Sequence, residues 1–214
     1  MATPVGELSV RHDFDKEVVK EVIFQRMYER WGGIELKGTV IDCGAHIGTF
    51  TRLCASLPAV SNVIAVEPDP DSFKLLELNT KDFKGVILIK AAISNNKKAK
   101  LKTNTRPELN KLNRSDKPVR VGSTGIPVRG IRLSDLINKK IDVLKMDIEG
   151  LEYEAFENLF ISKKINFIEQ ITIEYHNANK KRTLDWLLAN LKDFGFRLLW
   201  IGGQDWGHAQ FRRM

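Results

Sequence analysis

The run Val40-Ile41-Asp42-Cys43-Gly44-Ala45-His46-Ile47-Gly48 ends an apolar stretch in an acid and a glycine turn, and a second stretch, Val63-Ile64-Ala65-Val66, ends at Glu67. A buried strand that delivers a tight glycine turn, with an acid at the tip of the next strand, is how an α/β sheet holds a nucleoside. The carboxylate accepts from ribose hydroxyls, and the glycines admit the ligand to the backbone. Dinucleotides and S-adenosylmethionine both meet that description. A dinucleotide needs G-x-G-x-x-G/A, the second glycine admitting the pyrophosphate and the third allowing close helix packing. Here His46 and Thr49 stand at those two positions, which argues against NAD. Adenosylmethionine carries no phosphate, and its amino and carboxylate groups can be met by Asp42 and the backbone of Gly44 to Gly48.

Polar residues end four of the expected strands: Asp42, Glu67, Asp147 with Glu149, and Glu174 with His176. In an open parallel sheet the ligand lies beyond the carboxyl ends of the strands, so four such ends on one edge mark a site. Lys145, Asp147 and Glu149 alternate and share a face if the fourth strand stays extended that far. Methyl transfer from a sulfonium is an in-line displacement, for which a protein supplies positioning and, where the acceptor is a hydroxyl, a base. His176 is the most natural base near neutral pH, with Asp147, Glu149 and Glu174 as alternatives. Carboxylates with one imidazole could hold a divalent cation, but no ligand spacing demands one and no metal is assigned. His46 either packs locally or turns its ring to the cofactor.

The elements that must position these residues alternate strand and helix. An amphipathic helix is expected from Phe14 to Trp31, with apolar residues recurring at fours and Gly32-Gly33 stopping it. Strands are expected to end at Cys43 and Glu67, to run over Val86–Lys90, Ile141–Met146 and Phe167–Tyr175, and to close in a hairpin from Phe196. Helices fall between them: Thr49–Ser56, one opened by Asp69-Pro70 and running to Asn79, a short one near Ser134, Leu151–Phe160, and Leu184–Phe194 closed by Gly195. Repeating β-α units imply a mostly parallel sheet covered on both faces, with an antiparallel addition at the end.

The 214 residues suit one domain with a buried core, and 43% hydrophobic with 29% charged residues is ordinary for a folded chain. No apolar run reaches the ~18 residues of a membrane span, and the N-terminus lacks a signal-peptide pattern, so no membrane partner and a cytoplasmic address are expected. Cys43 and Cys54 read as buried free thiols. The net charge of +7 is concentrated in Asn95–Arg120, which holds nine basic against two acidic residues. That segment is either a solvated loop or hairpin, or a lip drawing in an anionic acceptor; without interleaved aromatics it is no base-stacking platform.

VIDCGAHIGTFT (Val40–Thr51), VIAVEPDPDSFKLLELN (Val63–Asn79), AAIS (Ala91–Ser94), LSDL (Leu133–Leu136), DVLKMDIEGLEYEA (Asp142–Ala155) and IEYH (Ile173–His176) together resemble the FkbM-like family of S-adenosylmethionine-dependent methyltransferases. The resemblance spans roughly residues 35 to 180. It implies a Rossmann-like, class I methyltransferase fold with a mostly parallel seven-stranded sheet and a C-terminal antiparallel hairpin. The whole of 1–214 is then a single methyltransferase domain, with 1–33 an N-terminal helical segment and 95–120 a basic insertion. By resemblance Asp42, Gly44, Ala45, His46 and Gly48 would embrace the methionine part, Glu67 the ribose with Pro68 and Asp69 beside it, Ala91, Ala92 and Ile93 the adenine edge, and Asp147 and Glu149 would lie beside the methyl donor. With Lys145, Glu174 and His176 from the strand ends, these two make up the candidate catalytic set. The expected reaction is O-methylation of a small molecule or glycan: a sugar, glycan or secondary-metabolite hydroxyl, neutral or anionic. The alternatives are a nucleic-acid ribose 2′-O-methyltransferase and a non-catalytic binding subunit. An Asn/Asp-Pro-Pro-aromatic loop, expected of a base-amino methyltransferase, is absent.

Overall fold

The computed structural model describes residues 1–102, 120–121, 125–176, 183–203 and 206–214. Strands β1 (Gly38–Cys43), β2 (Val60–Val66) and β3 (Val86–Ile89) alternate with helices α2 (Thr49–Ala55) and α3 (Pro70–Thr80), as their patterns demand. Asp69 caps α3 by accepting from the Ser72 N–H at 2.8 Å, and Pro70 takes the first turn, where no N–H is needed. Further along come β8 (Ile141–Met146), α4 (Glu152–Ile161), β9 (Ile168–His176), α5 (Leu184–Asp193), β10 (Phe196–Gly203) and β11 (Trp206–Arg213). These strands form one seven-stranded sheet in the order β10-β11-β9-β8-β1-β2-β3. Pairing is parallel from β9 through β3 and antiparallel at β10 and β11.

Period-two alternation divides the core between the faces. Val40, Val63 and Val143 pack with Val19, Val22, Ile23, Phe50 and Leu53 on one side. On the other, Ile41, Cys43, Leu144 and Met146 pack with Phe156, Leu159 and Leu187. Both cysteines are buried free thiols.

Two expectations need correction. The N-terminal helix does not reach Trp31: α1 (Asp13–Val19) runs into a π-helical turn, Lys20–Phe24, and stops. Arg26 adopts φ +56°, which turns the chain so that Tyr28 drops into the core against Phe50, ring centroids 5.1 Å apart. Half-exposed Trp31 lies off any helix, stacked on Trp200. The basic segment, expected as a loop or hairpin, pairs its described ends antiparallel, as a hairpin does. β4 (Ala92–Ile93), β5 (Lys98–Lys102), β6 (Arg120–Val121) and β7 (Ile126–Ile131) form a separate sheet in the order β4-β7-β5-β6. Residues 103–119 of that segment lie outside the described residues. Second, a single 3₁₀ turn, Leu133–Leu136, stands where a short helix was expected. Among the described residues no helix is long and apolar enough to cross a membrane.

Candidate functional site

Strand order reverses at β1, with β2 and β3 on one side and β8 and β9 on the other. A crevice must open there beyond the strand ends, and a cavity of about 670 Å³ does so. Its floor is the glycine turn. Gly44, at φ +77°, lies so close to β8 that a Cβ on it would overlap the backbone carbonyl oxygen of Asp147. Gly48, at φ +88°, heads α2 without lining the cavity.

Asp42 also stays out of the cavity. It is 0% exposed, accepts from Thr51 Oγ1 at 2.6 Å and pairs with Lys145 Nζ at 3.2 Å. Lys145, 3% exposed, donates to the Gly44 carbonyl at 2.7 Å. Burial alone would lower its pKa, yet Asp42 and Asp147 outweigh that and hold it above the ordinary value. Asp42 is thus a brace for the turn rather than a ligand, and Lys145 is a fixed cation beneath it.

On the β2 side Glu67 lines the cavity, with Pro68, Asp69, Ala91, Ala92 and Ile93 beside it. One Glu67 oxygen accepts from the His46 N–H and the other from the Asp69 N–H, each at 2.8 Å. Burial raises its pKa, with these N–H groups opposing the rise. Ala45 and His46 complete that wall.

On the β8–β9 side Asp147, Glu149 and Glu174 line the cavity. Glu149 reaches it from a turn, not from the strand: β8 ends at Met146, and Glu149 and Gly150 both have positive φ. His176, the favoured base, is absent from the lining. Its Nδ1 lies 3.2 Å from Glu152 Oε1, and its Nε2 lies 3.6 Å from Glu149 and 3.8 Å from Glu174. The hydrogen bond to Glu152 lifts His176 to about 9 against the effect of burial, which disfavours the neutral ring that a base needs. Burial, then the charge of Asp147, raises Glu174 to about 8. Glu152, fully buried, also accepts from the N–H groups of Ile148 and Gly150 and so shapes the 147–151 turn.

The sequence reading missed the wall built by residues 11–28. Phe14, Val18 and Val22, whose spacing suggested only an amphipathic helix, line the cavity together with Arg11, Met27 and Tyr28. Tyr28 Oη donates to Asp147 Oδ2 at 3.3 Å. Asp15, fully buried, ties this wall to the turn. It accepts from Arg11 N at 2.8 Å and Arg11 Nε at 3.0 Å, and lies 3.2 Å from His46 Nε2.

Burial would raise the Asp15 pKa, but the hydrogen bonds from His46 and Arg11 push it well below the carboxylate range. Asp15→Asn is therefore expected to cost about 2–3 kcal/mol at pH 7, the order of a charge-assisted hydrogen bond or two. Because the folded-state pKa is depressed, that stability is present above the unfolded value and is lost as pH falls through the folded one. Urea denaturation should thus show the gap between wild type and variant shrinking below pH ~4. A gap that does not change with pH would mean that Asp15 acts by packing.

The fold is that of the class I methyltransferases. The family model described as the methyltransferase FkbM domain matches residues 42–198. The chain belongs to that family. No curated protein matches the sequence. Among solved structures the chain is similar to the methyltransferase FkbM of Methylobacillus flagellatus KT, with 16% identity and a TM-score of 0.54 over 83% of this chain. It spans only 44% of that protein's length. It is also similar to an rRNA methylase of Streptococcus thermophilus, with 10% identity and a TM-score of 0.53 over 96% of this chain and 99% of that one. At such identities these likenesses speak for the fold.

Proposed function

We propose that this chain, as one domain from 1 to 214 with 1–33 as a wall of the site and 95–120 as an insertion, transfers a methyl group from S-adenosylmethionine to a hydroxyl of a sugar, glycan or secondary metabolite. The observation that carries this reading is a single cavity faced by Gly44–His46, Glu67 and the carboxylates of Asp147 and Glu174. Its volume is within the range of small-molecule sites. When bound, the cofactor supplies an electrophilic methyl carbon whose bond to sulfur breaks as the acceptor oxygen attacks, sulfur keeping the electron pair.

The chain's own residues do the rest. Glu67 accepts from the ribose hydroxyls, Ala91 to Ile93 give a small apolar wall for the adenine edge, and the backbone of Gly44 to His46 meets the methionine part. Asp42 and Lys145 hold that backbone in place. Glu174 takes the acceptor's proton, in the role first suggested for His176. Among the described residues the lining holds seven carboxyl groups, Glu21, Glu67, Asp69, Asp71, Asp147, Glu149 and Glu174, against the cations Arg11 and Lys145. That balance favours a neutral or cationic acceptor over an anionic one, and it speaks against nucleic acid.

Calorimetric titration with S-adenosylhomocysteine, with NAD as the control, tests the cofactor. One-to-one binding of the first alone is expected. Glu67→Ala should then weaken it by about 1.5–3 kcal/mol, the value of hydrogen bonds to a charged group. Unchanged affinity in the variant would remove Glu67 from the site.

A further inference from the structure

Glu67 is held in the cavity wall by two backbone N–H groups, those of His46 and Asp69, one on each carboxylate oxygen. The two donors are not equally secure. Asp69 is fixed by its own cap on α3, where it accepts from the Ser72 N–H. His46 sits at φ +52°, in the left-handed region, where a Cβ crowds the following carbonyl. Histidine tolerates that region better than most residues but gains nothing from it. The turn is tied on either side: Ala45 N donates to the Val66 carbonyl at 3.0 Å, and Gly48 N to the Ala45 carbonyl at 2.8 Å. The further support of His46 itself comes through its ring.

That ring is gripped by the N-terminal wall. Its Nε2 lies 3.0 Å from Arg11 Nη2 and 3.2 Å from Asp15 Oδ1, a donor and an acceptor, so the ring is held whether or not that nitrogen carries a proton. Phe14 meets it edge-on, ring centroids 5.9 Å apart. Arg11 is itself anchored: its Nε and Nη2 donate to the two oxygens of Asp15 at 3.0 and 3.1 Å, and its Nη1 lies 3.9 Å from Asp69 Oδ2. The guanidinium thus spans the two residues whose N–H groups hold Glu67. Arg11 and Asp15 precede the family-matched residues 42–198, so the clamp is contributed by this chain's own N-terminal segment.

We propose that Arg11 and Asp15 are positioning residues for the cofactor's ribose: by clamping the His46 ring they keep in place the backbone N–H that aims Glu67, and so set how strongly the protein reads the ribose diol. The proposal rests on the reading of Glu67 as the ribose acid. With both oxygens fixed, the carboxylate presents its free lone pairs to two neighbouring hydroxyls without reorganising when they arrive. Once the clamp opens, His46 relaxes to a negative φ, its N–H turns from Glu67, and a carboxylate held at one oxygen alone swings. Arg11 acts through His46 rather than on the ligand.

Two probes isolate the ribose: S-adenosylhomocysteine, and its 2′,3′-dideoxy analogue, which lacks both hydroxyls. Calorimetry should find the first bound at least tenfold more tightly by the wild type, as hydrogen bonds to a charged group require, and Glu67→Ala should abolish that preference. Arg11→Gln should cut it at least threefold while leaving affinity for the dideoxy analogue within twofold. A merely structural loss would weaken both probes alike. Because Arg11→Gln strips the buried Asp15 of its partner, His46→Ala gives a second route. It spares the Arg11–Asp15 pair, removes the ring, and should cost the same preference. His46→Asn brings a side chain that suits the left-handed region unaided. It should recover most of what His46→Ala loses, and in its background Arg11→Gln should leave the ratio unchanged. A preference that Glu67→Ala abolishes but that survives both Arg11→Gln and His46→Ala overturns the clamp alone. So does an equal loss from Arg11→Gln in the His46→Asn background, which would place Arg11 on the ligand. A wild type without the preference, or one that keeps it after Glu67→Ala, fails the ribose reading and the clamp with it. If neither probe binds at all, the cofactor reading falls and takes both.

Discussion

Gly44→Ala is expected to abolish measurable binding of S-adenosylhomocysteine and to destabilise the fold by about 3 kcal/mol or more. Two costs add. At φ +77° the added methyl places a non-glycine residue in the left-handed region, a strain of order 1–3 kcal/mol. The same methyl would overlap the Asp147 carbonyl oxygen, which is backbone and cannot swing aside. Asp147 N donates to the Cys43 carbonyl at 3.1 Å, so the ends of β1 and β8 are pinned together where the methyl must fit. Relief requires prising them apart, which moves the Gly44 carbonyl from Lys145 and Asp147 from Tyr28. Calorimetry and urea unfolding on the same preparation read both effects. A folded variant that binds normally would mean that the turn is not the methionine cradle.

What the sequence made legible was local. Asp69-Pro70 announces a helix start because cap and proline act within one turn, and Leu184 to Gly195 announces α5 by periodicity and a closing glycine. Glu67 was legible because a strand and an acid at its tip are neighbours in the chain. Other features rest on residues far apart in sequence. Tyr28 meets Asp147 across 119 positions, and no pattern around Tyr28 hints at it. The fourfold apolar spacing continues past Phe24 although the helix does not, because the left-handed Arg26 and the burial of Tyr28 override the periodicity. The second sheet was hidden by its brevity, since β4 and β6 have two residues each, below any alternation signal. His176 was favoured on its ordinary pKa, but a histidine's protonation depends on its contacts. Its partner Glu152 looked like one more acid in a helix's first turn, where acids are common anyway.

Glu174→Gln is expected to lower turnover by about 10²–10⁴-fold, the usual contribution of a general base, with any acceptor that the wild type labels from methyl-tritiated cofactor. Glu174 lines the cavity, and burial with the charge of Asp147 raises it to about 8. Near neutral pH it is mostly protonated, so wild-type turnover should climb roughly tenfold per pH unit below about 8 and then level. An ordinary carboxylate would instead give a rate already flat from pH ~5. His176→Gln removes the cation beside Glu174, so the rising limb should move to higher pH while activity survives. Were His176 the base, that substitution would abolish the limb altogether. Stability supplies an independent check. A carboxyl whose folded-state pKa lies above its unfolded value makes the fold lose stability as pH rises from about 4.5 to about 8. Glu174→Gln should therefore melt at a higher temperature than wild type at pH 8, trading activity for stability as functional sites commonly do. A variant that keeps full turnover would place the proton acceptor elsewhere in the lining, with Asp147 the first candidate. One that loses turnover and also melts earlier would reduce Glu174 to a structural residue.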